Sequence, residues 1–391
     1  MKKKAPRYLF ITGFKGLAIV FIVAFHLQFI YSGFPEYINK FLAFSSVWIN
    51  PFLILSAFTL TNGFVEERYN NFFSFMKRRF LRIAPPYYLL LIVAFFLWPL
   101  MTPSFRYIAN FPILVQHLFF LNTAPIDQAN QVRLLGIEWY VPVQFWLYVI
   151  LPFVLFFLNQ SVVVYVVLLL IAVVLHWEKN LLFHYKTVFD FASSVQNFLW
   201  LYIMAIGIRV LKNKRKTLAL GLLLGFLVFL YGIQTRSEQM YITVAFLLVY
   251  WRIFIVEAVI AKARNIHQML AVCIDHIDVA ILFVMLYKYV LNWYFVKNPH
   301  EFMAFWSFAI IVAGYARPWV LRKLLENRIL TIIGEYSYEV FLSHYMIITA
   351  VGYIIPKQGP YVRTLLILPI TAIVSYLLRR FVSKPALKFS A

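Results

Sequence analysis

The stretch LFITGFKGLAIVFIVAFHLQFIYSGF, residues 9–34, decides what kind of protein this is. It is apolar enough to cross a bilayer, yet it carries two groups that hydrocarbon excludes, Lys15 and His26. At about 100° per residue, eleven positions bring the second to within roughly 20° of the first, ~16 Å further along the axis. Both therefore share one helix face. A charged lysine near the middle of a lipid-facing helix is costly, so that face is expected to point into a bundle or a watery cavity. The plain alternative has Lys15 snorkelling to one surface and His26 capping the other end. The rest of the chain decides between them.

With 391 residues, 63% hydrophobic and 19% aromatic, and a mean hydropathy of +0.79, the chain is too apolar for a water-soluble domain. Apolar segments of spanning length recur from end to end, and no polar gap between them is long enough for a soluble domain. The pattern predicts an all-α polytopic membrane helix bundle of about ten to twelve transmembrane helices, one domain over 1–391. The basic start at Met1 to Lys4 leads into an apolar segment too long for a signal-peptide core, with no small-residue cleavage site, so the first helix is expected to stay in the protein. The single cysteine, Cys273, excludes an internal disulfide and a cysteine metal site. A net charge of +21 could suggest nucleic acid, but most of the 36 basic residues fall in alternate loops. Such asymmetry is the positive-inside rule, and it predicts cytoplasmic termini, contact with membrane lipids and no nucleic-acid partner.

Three further stretches follow along the chain. In FFSFMKRRFLRIAPPYY, residues 72–88, Arg79 and Arg82 are neighbours on one helix face, and Pro85 and Pro86 are expected to mark the start of the next span. A basic loop usually serves only as an anchor; the sharper reading is a phosphate grip, since an arginine fork binds phosphate in bidentate fashion. Thr102 to Ile137 is a long external stretch, of a length that is usually functional or partly re-entrant. The segment EWYVPVQFWLYVILP, residues 138–152, places Trp139 and Tyr140 where an aromatic belt would sit, and its Gln144 is an amide that needs a partner if buried.

Towards the end, IIGEYSYEVFLSHYMII, residues 332–348, puts Ser337, Tyr338 and a second intramembrane histidine, His344, on one helix. Seven residues separate Ser337 from His344, about 700° of turn, so the two nearly align. A lone histidine in a helix is usually a satisfied core residue; beside a run of hydroxyls it makes a polar track. Arg252, Glu257, Asp275, His276 and Asp278 are charged or polar groups within or at the ends of later segments, and structural pairing suits them better than metal binding. No metal site is expected.

Taken in order, these blocks resemble the acyltransferase family 3 integral-membrane proteins, which O-acylate glycans and other acceptors. GFKGLAIVFIVAFH looks like the family's first-helix pattern of Arg or Lys, ten residues, then His. NPFLILSAFTL, residues 50–60, resembles its FF-x-LSGF block, and MKRRFLRIAPPYY its Arg-x-x-Arg loop followed by Pro. WYVPVQFWLYVILP occupies the place of its WSL-x-x-E-x-x-FY-x-x-x-P block, and IGEYSYEVFLSHYMII that of its G-x-x-SY-x-x-YL-x-H helix. The chain departs from the pattern with Lys15 where most members have Arg, Ala57 for Gly, Tyr140 for Ser and Gln144 for the acidic residue. No C-terminal esterase-like domain of the kind fused in longer members is expected.

The resemblance implies transfer of an acyl group, most often acetyl from acetyl-CoA, to a hydroxyl of a glycan or lipid-linked glycan precursor, in the cytoplasmic membrane of a bacterium. In that scheme His26 is the general base and Lys15 contacts the donor or polarises its carbonyl. Arg79 and Arg82 hold the CoA phosphates. Trp139 offers a ring face to the sugar, and Gln144, Ser337, Tyr338 and His344 line the acceptor side. A thioester is already activated, so such an enzyme needs mainly a base, an anion-stabilising group and positioning. The rivals are a lipid-linked glycan transporter or polymerase without acyl-CoA chemistry, and a non-catalytic receptor or scaffold. No repeat relates the two halves, which weakens the transporter reading.

Overall fold

The computed structural model describes residues 9–30, 33–65, 71–101, 111–121, 135–137, 139–177, 190–210, 303, 307 and 319–389. Every element among them is helical, as a bilayer demands: with no water to take its N–H and C=O groups, the backbone must bond to itself within each segment. In chain order the elements are α1 (Leu9–Ile30), α2 (Glu36–Phe44), a 3-10 turn (Ser45–Trp48), α3 (Ile49–Val65), α4 (Phe72–Met101) and α5 (Phe111–Leu118). There follow α6 (Tyr140–Gln160), α7 (Val162–Trp177), α8 (Asp190–Val210), α9 (Trp319–Leu325) and α10 (Arg328–Glu335). The last are α11 (Ser337–Ile354), α12 (Pro360–Leu378), a π turn (Arg379–Ser383) and α13 (Lys384–Lys388).

Five stretches among the described residues are long and apolar enough to cross a membrane: Leu9–Gln28, Glu36–Phe64, Phe72–Trp98, Tyr140–Phe157 and Pro360–Lys388. Large apolar side chains stand exposed along α4, α7 and α12, among them Phe96, Leu100, Val163, Leu365 and Ile373. In water such bands would drive aggregation; lipid tails are their natural solvent. The chain is an all-α membrane helix bundle. The apolar segments read between residues 218 and 317, with Arg252, Glu257, Asp275, His276 and Asp278, lie outside the described residues.

The described residues gather in two compact units. The first draws on 1–21, 36–62 and 205–335. Here α1 and α10 touch backbone to backbone: a Cβ on Gly16 would stand 2.0 Å from the carbonyl oxygen of Leu330, and one on Gly334 would stand 1.8 Å from that of Thr12. Small residues at a helix crossing permit this approach, where attraction comes from packing rather than from a hydrophobic effect. Trp48 fills the space alongside, stacked on Phe21 at 4.2 Å and met edge-on by Phe14. Lys15 lies half-buried next to the Gly16 contact.

The second unit draws on 22–35, 63–204 and 336–391. Its frame is the antiparallel hairpin of α11 and α12, in which Pro360 opens the returning helix at its first turn and the hydroxyls of Ser343 and Ser375 meet at 3.2 Å. The end of α1 closes on this hairpin through Val23 and Leu27, which pack with Ile347, Ile348, Val351 and Ile367. Helix α4 lies along α11 and α6, and the π turn and α13 fold back on α4.

Helix α4 differs from its sequence reading. The basic stretch is not a loop before the span but the first third of one helix of 30 residues. Asn71 and Ser74 start it with a reciprocal cap, the Ser74 N–H donating to Asn71 Oδ1 at 2.8 Å and the Asn71 N–H to Ser74 Oγ at 3.3 Å. The helix then runs through Pro85 and Pro86 instead of beginning there. Two prolines remove the helical donors to the carbonyls of Leu81 and Arg82, and in that same turn the Tyr338 hydroxyl donates to the carbonyl of Ile83 at 2.9 Å. That bond ties α11 to α4 at this turn, although the carbonyl it reaches is not one of the two that the prolines leave without a helical donor.

Candidate functional site

The two intramembrane histidines, 318 residues apart, are hydrogen-bonded to each other. His344 is fully buried on α11, and its Nδ1 lies 3.0 Å from the carbonyl oxygen of Val340 and 2.7 Å from that of Phe341. Carbonyls only accept, so the proton of a neutral His344 sits on Nδ1 and its Nε2 carries the lone pair. That Nε2 stands 3.1 Å from His26 Nδ1, which in turn lies 2.9 Å from the carbonyl oxygen of Ile22. With acceptors on both sides, His26 Nδ1 is the donor. By elimination the lone pair of a neutral His26 is on Nε2, the ring atom turned away from His344. The polar face of α1 therefore presents an acceptor nitrogen whose tautomer the fold dictates.

Aromatic rings enclose the pair. Tyr345 and Phe25 each meet the His26 ring edge-on, at 5.3 and 5.1 Å, while Phe341 stands between His344 and the buried ring of Tyr140. The end of the long stretch before α6 presses on this group. Gly136 adopts φ +74°, and a Cβ there would fall 2.0 Å from the Tyr345 ring. Gly136→Ala combines a left-handed backbone, costing an L-residue about 1–2 kcal/mol, with a collision against the ring that borders His26. We expect it to lower thermal stability in detergent and activity together; a variant with wild-type melting and turnover would show that Tyr345 is not held from this side.

The expected phosphate grip is differently arranged. Arg82 forks onto Glu339, with Nη1 to Oε1 at 2.7 Å and Nη2 to Oε2 at 3.3 Å, and its guanidinium lies 5.4 Å from the centre of the Tyr338 ring. Arg82 is thus already bound to a fully buried carboxylate, and Arg379 approaches the same carboxylate at 3.9 Å. Arg79, one turn earlier on α4, packs its guanidinium over Phe75. The sequence reading passed over Glu339, although an acid inside an apolar helix is a signal that could have found it.

The residues assigned to the acceptor side do not all gather at the histidines. Tyr338 is buried beside Arg82 and bonded to α4, and Ser337, also buried, begins α11 about 10 Å along the axis from His344. Gln144 is buried in α6. Trp139, half-buried, is stacked against Phe198 of α8 at 6.0 Å and meets the Tyr140 ring edge-on at 6.0 Å.

One polar pair was not foreseen. Helix α5, within the stretch read as external, ends beside the middle of α4, where buried His117 Nδ1 lies 2.9 Å from the Tyr87 hydroxyl and the Tyr88 hydroxyl donates to the carbonyl of Leu118. Phe120 follows with φ +56°, stacked on Phe145 at 4.4 Å and on both tyrosines, and its carbonyl accepts from Trp146 Nε1 at 2.9 Å. Residues 111–121 fold in against α4 and α6.

Among the described residues, the bundle carries a hydrogen-bonded histidine pair on its first and penultimate long helices and an arginine cluster at the head of α4. A family model described as an acyltransferase domain, acyltransferase family 3, matches residues 8–380, nearly the whole chain. The chain belongs to that family, and it is a multi-pass membrane acyltransferase. No curated protein and no solved structure matches it.

Proposed function

We propose that the protein moves an acetyl group from acetyl-CoA to a hydroxyl of a glycan or of its lipid-linked precursor. The observation that carries this reading is the His26–His344 pair, which gives His26 a defined lone pair on Nε2. In the proposed reaction that nitrogen takes the proton of the acceptor hydroxyl as its oxygen attacks the thioester carbonyl. The tetrahedral intermediate collapses, the C–S bond breaks, and the CoA sulfur leaves with the proton returned from His26. While His26 is charged, its Nδ1–H bond to the lone pair of His344 becomes charge-assisted, and such bonds are roughly twice as strong as neutral ones. His344 thereby holds the orientation of the base and steadies the charge that forms on it.

The other assignments rest on the resemblance together with chemistry. Arg79 and Arg82 are the donor's phosphate contacts, and Lys15 acts on the donor carbonyl. Trp139 and Gln144 serve the sugar side. Acyl transfer itself follows from the family; the acetyl group, the CoA carrier and the glycan are the parts that the experiment must decide. Purified protein in nanodiscs, given radiolabelled acetyl-CoA and a lipid-linked glycan extract, should release CoA and label the glycan. Intact acetyl-CoA in the presence of folded protein and extract would move the reading towards another donor or towards transport.

A further inference from the structure

An open groove of about 610 Å³ runs beside the first turns of α4, a volume in the range of ordinary ligand sites. Phe73, Met76 and Phe80 of α4 and Phe145 of α6 make its apolar walls, with Asn71 and Ser74 where the helix starts and Lys77 at the rim. Two of the walls are fixed from behind, since Phe80 meets Phe120 edge-on at 6.3 Å and Phe145 stacks on the same ring at 4.4 Å. The depth of the groove in the membrane follows from length. Helix α4 has 30 residues, about 45 Å of helix against ~30 Å of hydrocarbon, and its uncharged run begins after Arg82. Its first third therefore stands at the level of the lipid head groups. Apolar walls at that level, ending in Phe73 at 80% exposure, require a hydrocarbon cover. Charge supplies the second requirement. Lys77 is exposed and forms no ion pair among the described residues, and neither α4 nor α6 contains an Asp or Glu. It stands roughly 160° round the helix from Arg79 and 140° from Arg82, on a different face from the arginines.

We infer that this groove holds one anionic phospholipid of the surrounding leaflet, with an acyl chain along Phe73, Met76, Phe80 and Phe145 and the acidic head group at Lys77. The chain enters sideways from the bilayer past Phe73 without crossing water. The lysine stem lies along the chain while its ammonium reaches the head group, as basic side chains do at a membrane surface. Asn71 adds a donor: its Oδ1 accepts the Ser74 N–H at 2.8 Å, which leaves the NH2 for a head-group oxygen. Because Phe80 and Phe145 both rest on Phe120, the bound lipid braces residues 111–121 from the membrane side. None of the lining residues is assigned to the acyl donor, so lipid binding here stands apart from the acetyl-CoA reading.

The probes are phosphatidylglycerol and phosphatidylcholine, each carrying a photoreactive diazirine in one acyl chain and added at a few molecules per protein in detergent. Cross-links mapped by mass spectrometry should concentrate on the peptides that hold residues 72–80 and 145. Phosphatidylglycerol should label them about fivefold more than phosphatidylcholine, the effect of one basic residue at an acidic surface. Lys77→Gln, a change at an exposed position, should bring the two lipids level at this site. Met76→Trp fills the groove with Lys77 in place, and should lower labelling by both lipids several-fold while labelling along α12 stays the same. An excess of CoA should leave the phosphatidylglycerol pattern unchanged; loss of labelling under CoA would give the groove to the donor and overturn the lipid site. Labelling at 72–80 and 145 no stronger than along α12, or equal for the two lipids and unaltered by both substitutions, would mean ordinary contact with bulk lipid and overturn it too.

Discussion

His26→Gln is expected to lower acyl-transfer turnover by roughly 100-fold or more while leaving CoA affinity within a factor of two or so of wild type. Glutamine keeps a polar side chain of similar reach and can still donate to the Ile22 carbonyl or to His344 Nε2, so the packing around Phe25 and Tyr345 has little cause to change. What it lacks is a nitrogen lone pair able to take a proton. Donor affinity should persist because the arginines lie elsewhere on the unit, Glu339 being five residues and about 7.5 Å of helix before His344. His26→Ala is the less informative change, since it also opens a space between rings and strips His344 Nε2 of its neighbour. If His26→Gln turned over at the wild-type rate, the histidine pair would be packing and nothing more. His344→Gln should show a smaller loss with a shifted pH profile, since it disturbs the orientation of the base rather than removing it.

Glu339→Ala should be the most damaging single change to stability, costing about 3–5 kcal/mol. The carboxylate is fully buried and accepts the Arg82 fork, so its removal leaves a guanidinium one-quarter exposed with another cation, Arg379, close by. The loss should appear as a drop of several degrees in melting temperature in detergent, partly reversed by added CoA or inorganic phosphate if an anion can take the place of the carboxylate. Arg82→Met combined with Glu339→Leu removes both charges at similar volume, and should regain part of the stability because neither partner is left buried alone. Equal melting temperatures for wild type and Glu339→Ala would mean that solvent already screens this group.

Much of this arrangement was legible in the sequence and some was not, for reasons of range. The spacing of Lys15 and His26 follows from helical periodicity, which acts over a few turns and leaves its mark on neighbouring positions. The same is true of the apolar segments, because a bilayer dictates their length. The bond between His26 and His344 joins positions 318 apart, and nothing local announces it. The fork between Arg82 and Glu339 is equally silent in the sequence, since its partners lie 257 residues apart. Pro85 and Pro86 misled for the opposite reason. Their local preference for a helix start is real, but the cap at Asn71 and Ser74 sets the start earlier and α4 runs on as one helix. Ser337 and His344 do share a helix face as the angular count requires, yet depth along the axis separates them, and depth is what decides which ligand a residue can meet.

Phe120 has a mechanical consequence. A bulky residue in the left-handed region costs about 1–3 kcal/mol and persists only where its surroundings over-determine it. Here three rings and an indole N–H hold one residue, directly after a helix whose end is tied to α4 through two tyrosines. Swinging α5 outward would break all of these contacts at once. Residues 111–121 are therefore a fixed part of this unit and not a door. Whatever opens to admit a substrate must hinge on other residues.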